Sequence, residues 1–166
     1  MKSNLWEKFV KRIPVKADIK EIYNSWATQE GLEKWFLRKA EFIAAENKLR
    51  DSDSLVEKGD TYKWLWHGYP DSVFEQRKIL QANGKDFLQF SFSGECIVSV
   101  NIKTEQGENI VELTQENIPM DEDPTTNLYV GCGEGWTFYL ANLKSILEGG
   151  IDLRNKNNAI TKVISS

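Results

Sequence analysis

One histidine, two cysteines and a few close charges are the residues whose chemistry could go beyond packing. His67 is the only histidine, and Cys96 and Cys132 lie far apart with no CxxC spacing. The convergent ligands of a four-coordinate zinc site are therefore lacking. His67 adjoins Gly68 at the end of an alternating segment, a surface or rim position. A general base also needs a positioned partner, and none is evident for it. The thiols read as reduced cysteines of a cytoplasmic protein. Reactivity at Cys132 would need an electropositive setting.

Glu75 and Arg77 share one side of a strand-like segment running from Ser72 to Leu80. Facing inward, they would form a buried pair able to orient the polar head of a ligand. Facing outward, they would be a solvated pair of little energetic weight. The pattern favours outward. Gly131-Cys132-Gly133 with Gly135 is glycine-rich but lacks the spacing and the Lys-Ser/Thr ending of a phosphate loop. Close approach of a helix to a sheet is the simpler expectation.

The aromatic residues are the larger signal, with six Trp among 166 residues. Trp35, Trp64, Trp66, Phe90, Phe92, Trp136 and Tyr139 are the candidate walls of an apolar pocket between a sheet and a helix. Rigid aromatic faces give large contact area, and a few polar groups then orient a ligand. Each such side chain withdrawn from water is worth about 1.5–3 kcal/mol. Mutual core filling would realise the same energy, so both readings stand at this point.

These residues need elements to hold them. Trp136, Leu140, Leu143 and Leu147 share one helical face, widened by Tyr139 and Ile146, while Asn142 falls mostly outside it. Gly149-Gly150 supplies a stop. Earlier, a strand from about Leu5 to Val15 precedes a helix whose Asp18 and Glu21 have capping-box spacing. A second short helix starts near Thr28, weakened by Gly31. Alternation then dominates, with Tyr62, Trp64 and Trp66 on one side of the clearest strand. Asn83-Gly84 marks a hairpin with positive φ at both positions. Strands follow through Ile118, then an acidic irregular stretch, then the long helix. The order predicts an α+β domain. A polar tail ends in Ile160, Val163 and Ile164, suited to joining the sheet, contacting a second subunit or staying mobile.

Net charge is −4 with pI about 5.2 and no dense basic run, so nucleic acid is not an expected partner. The first ten residues lack the apolar core of a signal peptide, and no stretch reaches membrane-spanning length.

The segment from Ile13 through Phe36, IPVKADIKEIYNSWATQEGLEKWF, resembles the amino-terminal signature of the "activator of Hsp 90 ATPase" homologues, within the START-like, helix-grip (SRPBCC) superfamily. Gly135-Trp136 continuing to Leu140, Leu143, Leu147 and Glu148 resembles the closing helix of that family. The resemblance spans about Ile13 to Arg154. It implies a curved antiparallel sheet of about seven strands gripping a long C-terminal helix, with two short helices after the first strand, often around a hydrophobic cavity. It also implies a single domain over 1–154 and a tail over 155–166. In the eukaryotic co-chaperone, a further domain takes part in chaperone binding.

The resulting expectation is a cytoplasmic, non-enzymatic protein that binds a small hydrophobic molecule, as monomer or homodimer, without cofactor or metal. Two alternatives accompany it. One is a co-chaperone-like module of the stress response that meets a heat-shock chaperone. The other is a cyclase or aromatase-type enzyme using polar groups among Tyr62, His67, Glu75 and Arg77.

Overall fold

A computed structural model describes residues 5–164. Its elements in chain order are β1 (Phe9–Pro14), α1 (Ile19–Ala27), α2 (Gln29–Trp35), β2 (Lys39–Ala44), β3 (Lys48–Leu49), β4 (Thr61–Leu65), β5 (Phe74–Ala82), β6 (Phe87–Phe92), β7 (Cys96–Glu105), β8 (Glu108–Glu116) and α3 (Leu128–Leu147). The strands form one curved, open antiparallel sheet in the order β1-β8-β7-β6-β5-β4-β2-β3. This is the α+β helix-grip architecture expected. The strand beyond seven is β3, only two residues long and too brief to leave an alternating pattern.

Alternation decides what the sheet buries. Phe42, Tyr62, Trp64, Ile79, Leu88, Phe90, Val98, Val100, Val111 and Leu113 face inward and meet the buried sides of the three helices. From α3 come Trp136, Tyr139, Leu140 and Leu143. Register across β4 and β5 sets Tyr62 opposite Arg77 and Trp64 opposite Glu75. Glu75 and Arg77 therefore share the inward face with buried Ile79. The outward expectation is corrected: apolar residues on both parities masked the inner face, and the partner strand resolves it. The register slips between Ile79 and Gln81, a bulge that bends β5 and adds to the curvature.

The helix signals are realised locally. Asp18 Oδ1 accepts from the Glu21 amide at 2.7 Å. Thr28 Oγ1 accepts from the Gly31 amide at 3.0 Å, which starts α2 immediately after α1. A Cβ at Gly31 would lie 2.2 Å from the Asn24 carbonyl oxygen and 2.9 Å from Ser25 Cα. Gly31 therefore permits the tight α1–α2 corner, whatever it removes from helix propensity. Gly31→Ala is expected to destabilise the fold by about 2 kcal/mol or more through this overlap, read as a lower urea midpoint with an unchanged slope.

The Asn83-Gly84 turn forms with one difference. Only Gly84 has positive φ. Asn83 Oδ1 instead accepts from the amides of Lys85, Asp86 and Phe87, giving a longer loop organised by one side chain. The Gly84 amide then donates to Tyr23 Oη at 3.0 Å, tying the hairpin to α1.

Asn127 caps α3 by accepting from the Tyr129 and Val130 amides, and Gly149 ends it at φ +83°. Asn142 departs from expectation: it is fully buried on the helix's inner side. Its Nδ2 donates to the Trp35 carbonyl at 2.8 Å and to Asp152 Oδ1 at 3.0 Å, while its Oδ1 accepts from the Leu153 amide at 2.7 Å. A buried amide is tolerable because each of its groups is paired. Arg154, almost wholly buried, completes this latch. Its guanidinium donates to Asp152 and to the carbonyls of Glu33, Lys34 and Leu37, the orphan acceptors at the end of α2 and just beyond it. Beyond Arg154 the chain forms no strand among the described residues, so the tail does not extend the sheet.

Candidate functional site

A cleft of about 420 Å³ opens between the amino-terminal half of α3 and the ends of β4, β5 and β6. Each wall follows from an element already described. Trp66 continues the inward parity of Tyr62 and Trp64 past the end of β4. Phe92 ends the inward row of β6. Gly131, Gly135, Trp136 and Tyr139 succeed one another along one side of α3, and all of these residues line the cleft.

Of the seven aromatic residues expected to form a pocket, the cleft brings together Trp66, Phe92, Trp136 and Tyr139. Trp35, Trp64 and Phe90 lie outside its lining, in the core. Trp35 donates its indole N–H to the Ser25 carbonyl at 2.8 Å and packs edge-on against Trp26. Trp64 stacks on Tyr62 with centroids 3.8 Å apart and meets Phe90 at 5.1 Å. Three aromatic residues of the lining were not among those expected, Tyr69, Phe74 and Phe36. Phe36, just past the end of α2, sits 4.9 Å from Tyr139, 5.0 Å from Trp136 and 5.7 Å from Trp66, ring centre to ring centre. Helical phase alone does not distinguish Phe36 from Trp35. The break of the helix at Phe36 turns it towards α3.

Trp136 is fixed by its indole N–H, which donates to Gln115 Oε1 at 2.8 Å. This orients the Gln115 amide, whose buried Nε2 lies near the sulfurs of Cys96 and Cys132 but makes no hydrogen bond among the described residues. Burial raises the pKa of both thiols, outweighing the opposing pull of that amide. They are held as neutral thiols, poor nucleophiles.

The polar end of the cleft is built on Glu75. Its Oε1 accepts from Ser93 Oγ at 2.9 Å and its Oε2 from Arg77 Nε at 3.0 Å. Glu75 and Ser93 line the cleft and Arg77 does not. The Tyr62 hydroxyl donates to the Ser91 carbonyl at 2.6 Å, and burial drives its pKa far upward. It is committed to structure. His67 lies outside the cleft, where burial and then the charge of Arg154 lower its pKa. Tyr139, at the cleft wall, has its pKa pushed up to about 12 by burial, so its hydroxyl stays neutral. Among the described residues no group of three or more His, Cys, Asp or Glu is placed to hold a metal ion.

The glycines of α3 need correction. A Cβ at Gly131 or Gly135 would meet nothing within 4 Å, and one at Gly133 would only reach the Lys11 ammonium. They do not serve close helix–sheet contact. Glycine lowers helix stability by about 1 kcal/mol per residue relative to alanine, and here the return is open space. Gly131 and Gly135 also border a second cleft, of about 980 Å³, on the other side of α3. There the tail residues Lys162, Val163 and Ile164 lie opposite Trp6 and Phe138.

The comparisons with known proteins follow the same lines. A family model described as "Activator of Hsp90 ATPase homolog 1-like protein" matches residues 16–148. A Staphylococcus saprophyticus protein of known structure superposes with a TM-score of 0.68 at 16% identity, covering 89% of this chain and 96% of its own. The Aha1 dimer from Colwellia psychrerythraea gives 0.65 at 21% identity, with 86% and 97% covered. CalU16 from Micromonospora echinospora gives 0.62 at 16% identity, with 88% and 77% covered. These identities establish a shared fold and nothing finer. No curated protein sequence matches the chain. No helix among the described residues is long and apolar enough to cross a membrane.

Proposed function

The chain belongs to the Activator of Hsp90 ATPase homolog 1-like family, and from that premise we propose that it is a non-enzymatic binder of a small hydrophobic molecule, held between the sheet and α3. The observation that carries this reading is the cleft itself. Its volume falls within the range of small-molecule sites, roughly 300–1,000 Å³. Phe36, Trp66, Phe92, Trp136 and Tyr139 give it an aromatic lining, and Glu75 with Ser93 gives it one polar end. Residues 1–154 form the binding domain in this reading and 155–166 the tail. Its setting is the cytoplasm, and it acts as a monomer or, like its Colwellia neighbour, as a dimer.

The reading is tested by native mass spectrometry of freshly purified protein. A retained small molecule in 1:1 ratio, released by mild activation, is the expected result. Protein that is repeatedly isolated empty and takes up no apolar compound on soaking would count against it.

The enzymatic alternative has less support, because Glu75 alone of the four polar candidates lines the cleft. The co-chaperone alternative rests on the family description and on an exposed apolar group, Trp6, Met120 and Val130, near the start of α3. Stimulation of a purified heat-shock chaperone's ATPase would favour it, and lack of both stimulation and binding would remove it.

A further inference from the structure

We infer that the cleft selects a hydrophobic amine: an apolar ring system carrying a protonated amino group that docks on Glu75. The inference rests on the binding reading above and names the chemical class of the ligand. Glu75 is the one charged side chain in the lining, among the described residues. Its two oxygens are held in place by Ser93 Oγ and Arg77 Nε, one partner each. A carboxylate oxygen has two lone pairs, so each retains acceptor capacity for a ligand N–H. The counter-charge of Arg77 stays outside the lining, so a head group entering the cleft meets the carboxylate before the guanidinium.

The rings reinforce this choice of charge. Phe36, Trp66, Trp136 and Tyr139 present π-faces and edges around one space. Aromatic faces attract cations and repel anions. Ser93 apart, the hydroxyl groups of the lining are Tyr69, Thr125, Thr126 and Tyr139, none of them a cation. A fatty acid or aromatic acid would therefore place its anion beside Glu75 with no cation in the wall to receive it. An amine would exchange its hydration for a charge-assisted hydrogen bond.

Three probes of one shape separate the possibilities: 2-methylnaphthalene, 2-naphthylmethylamine and 2-naphthoate, titrated calorimetrically into the full chain at pH 7. The amine is expected to bind about tenfold more tightly than the hydrocarbon, the gain of a charge-assisted contact partly offset by desolvation. The naphthoate is expected to bind more weakly than either. Raising NaCl from about 50 to about 300 mM should shrink the advantage of the amine by screening, and Glu75→Gln should erase the difference between amine and hydrocarbon. Hydrocarbon binding without an amine preference, or a preference for naphthoate, overturns the inference and leaves the binding reading intact. Failure of all three probes overturns both. The wild-type ranking and its salt dependence decide the matter even if Glu75→Gln proves poorly folded.

Discussion

Replacing Gly131 and Gly135 together with leucine is expected to raise the melting temperature while reducing uptake of apolar compounds by tenfold or more. The two effects have separate origins. Each glycine leaves helix stability about 1 kcal/mol below what a good helix former provides, and neither is held by a neighbour, since an added Cβ meets nothing within 4 Å. Leucine therefore gains propensity without overlap at its base. Its branched end occupies the space beside Trp136 and Tyr139 that the cleft requires. A core-packing role for these glycines predicts the opposite, lower stability and unchanged binding. Differential scanning calorimetry with a retained-ligand assay on the same preparations distinguishes the two. Stability and binding that move together would contradict the account.

Arg154→Ala is expected to be the most damaging single change outside the cleft. The arginine side chain is 1% exposed, and its guanidinium serves three backbone carbonyls and Asp152. Truncation removes this donor from the Glu33, Lys34 and Leu37 carbonyls, while Asp152 keeps Asn142 and Lys156. Asp152 is 25% exposed, so the loss lies at or below the cost of breaking a fully buried pair, about 3–5 kcal/mol, on the order of a 10 °C fall in Tm or less for a chain of this size. Arg154→Lys should rescue little, because one ammonium cannot reproduce the planar fork.

A pH dependence follows from the same latch. Burial alone would raise the Asp152 pKa, but hydrogen bonds from Arg154, Lys156 and Asn142 prevail and hold it well below the ordinary carboxylate range. A pKa depressed by folding contributes stability that is fully present above the unfolded value, 3.8, and is lost as pH falls towards the folded one. The wild type should therefore lose stability from about pH 4 downward, and Asp152→Asn should flatten that slope. An unchanged acid limb would show that the carboxylate contributes nothing to the latch.

How far the sequence discloses this molecule depends on whether a residue acts along the chain or across it. The stripe of Trp136, Leu140 and Leu143, the caps at Asp18 and Thr28, and the alternation of Tyr62, Trp64 and Trp66 are local patterns. The α+β helix-grip fold was legible from them together with the family resemblance. Asn142 was misread because polarity predicts exposure, whereas its amide is satisfied by Trp35, Asp152 and Leu153, partners that only the folded chain brings close. The side on which Glu75 and Arg77 lie is not legible in their own segment, because the inner face of β5 is set by its register with β4. The direction of Phe36 depends on where α2 breaks, which helical phase does not show. Four of the seven aromatic candidates meet at the cleft. The other three share their composition and their periodicity and differ only in depth, which neither property encodes.

The most direct test of the central claim is a titration of the native protein with 2-methylnaphthalene, followed by tryptophan emission. Trp66 and Trp136 line the cleft, so occupancy should alter their emission. A saturable 1:1 change is expected, absent from the Gly131→Leu/Gly135→Leu protein and from the urea-unfolded chain. A linear, unsaturable change of equal slope in all three would contradict that claim.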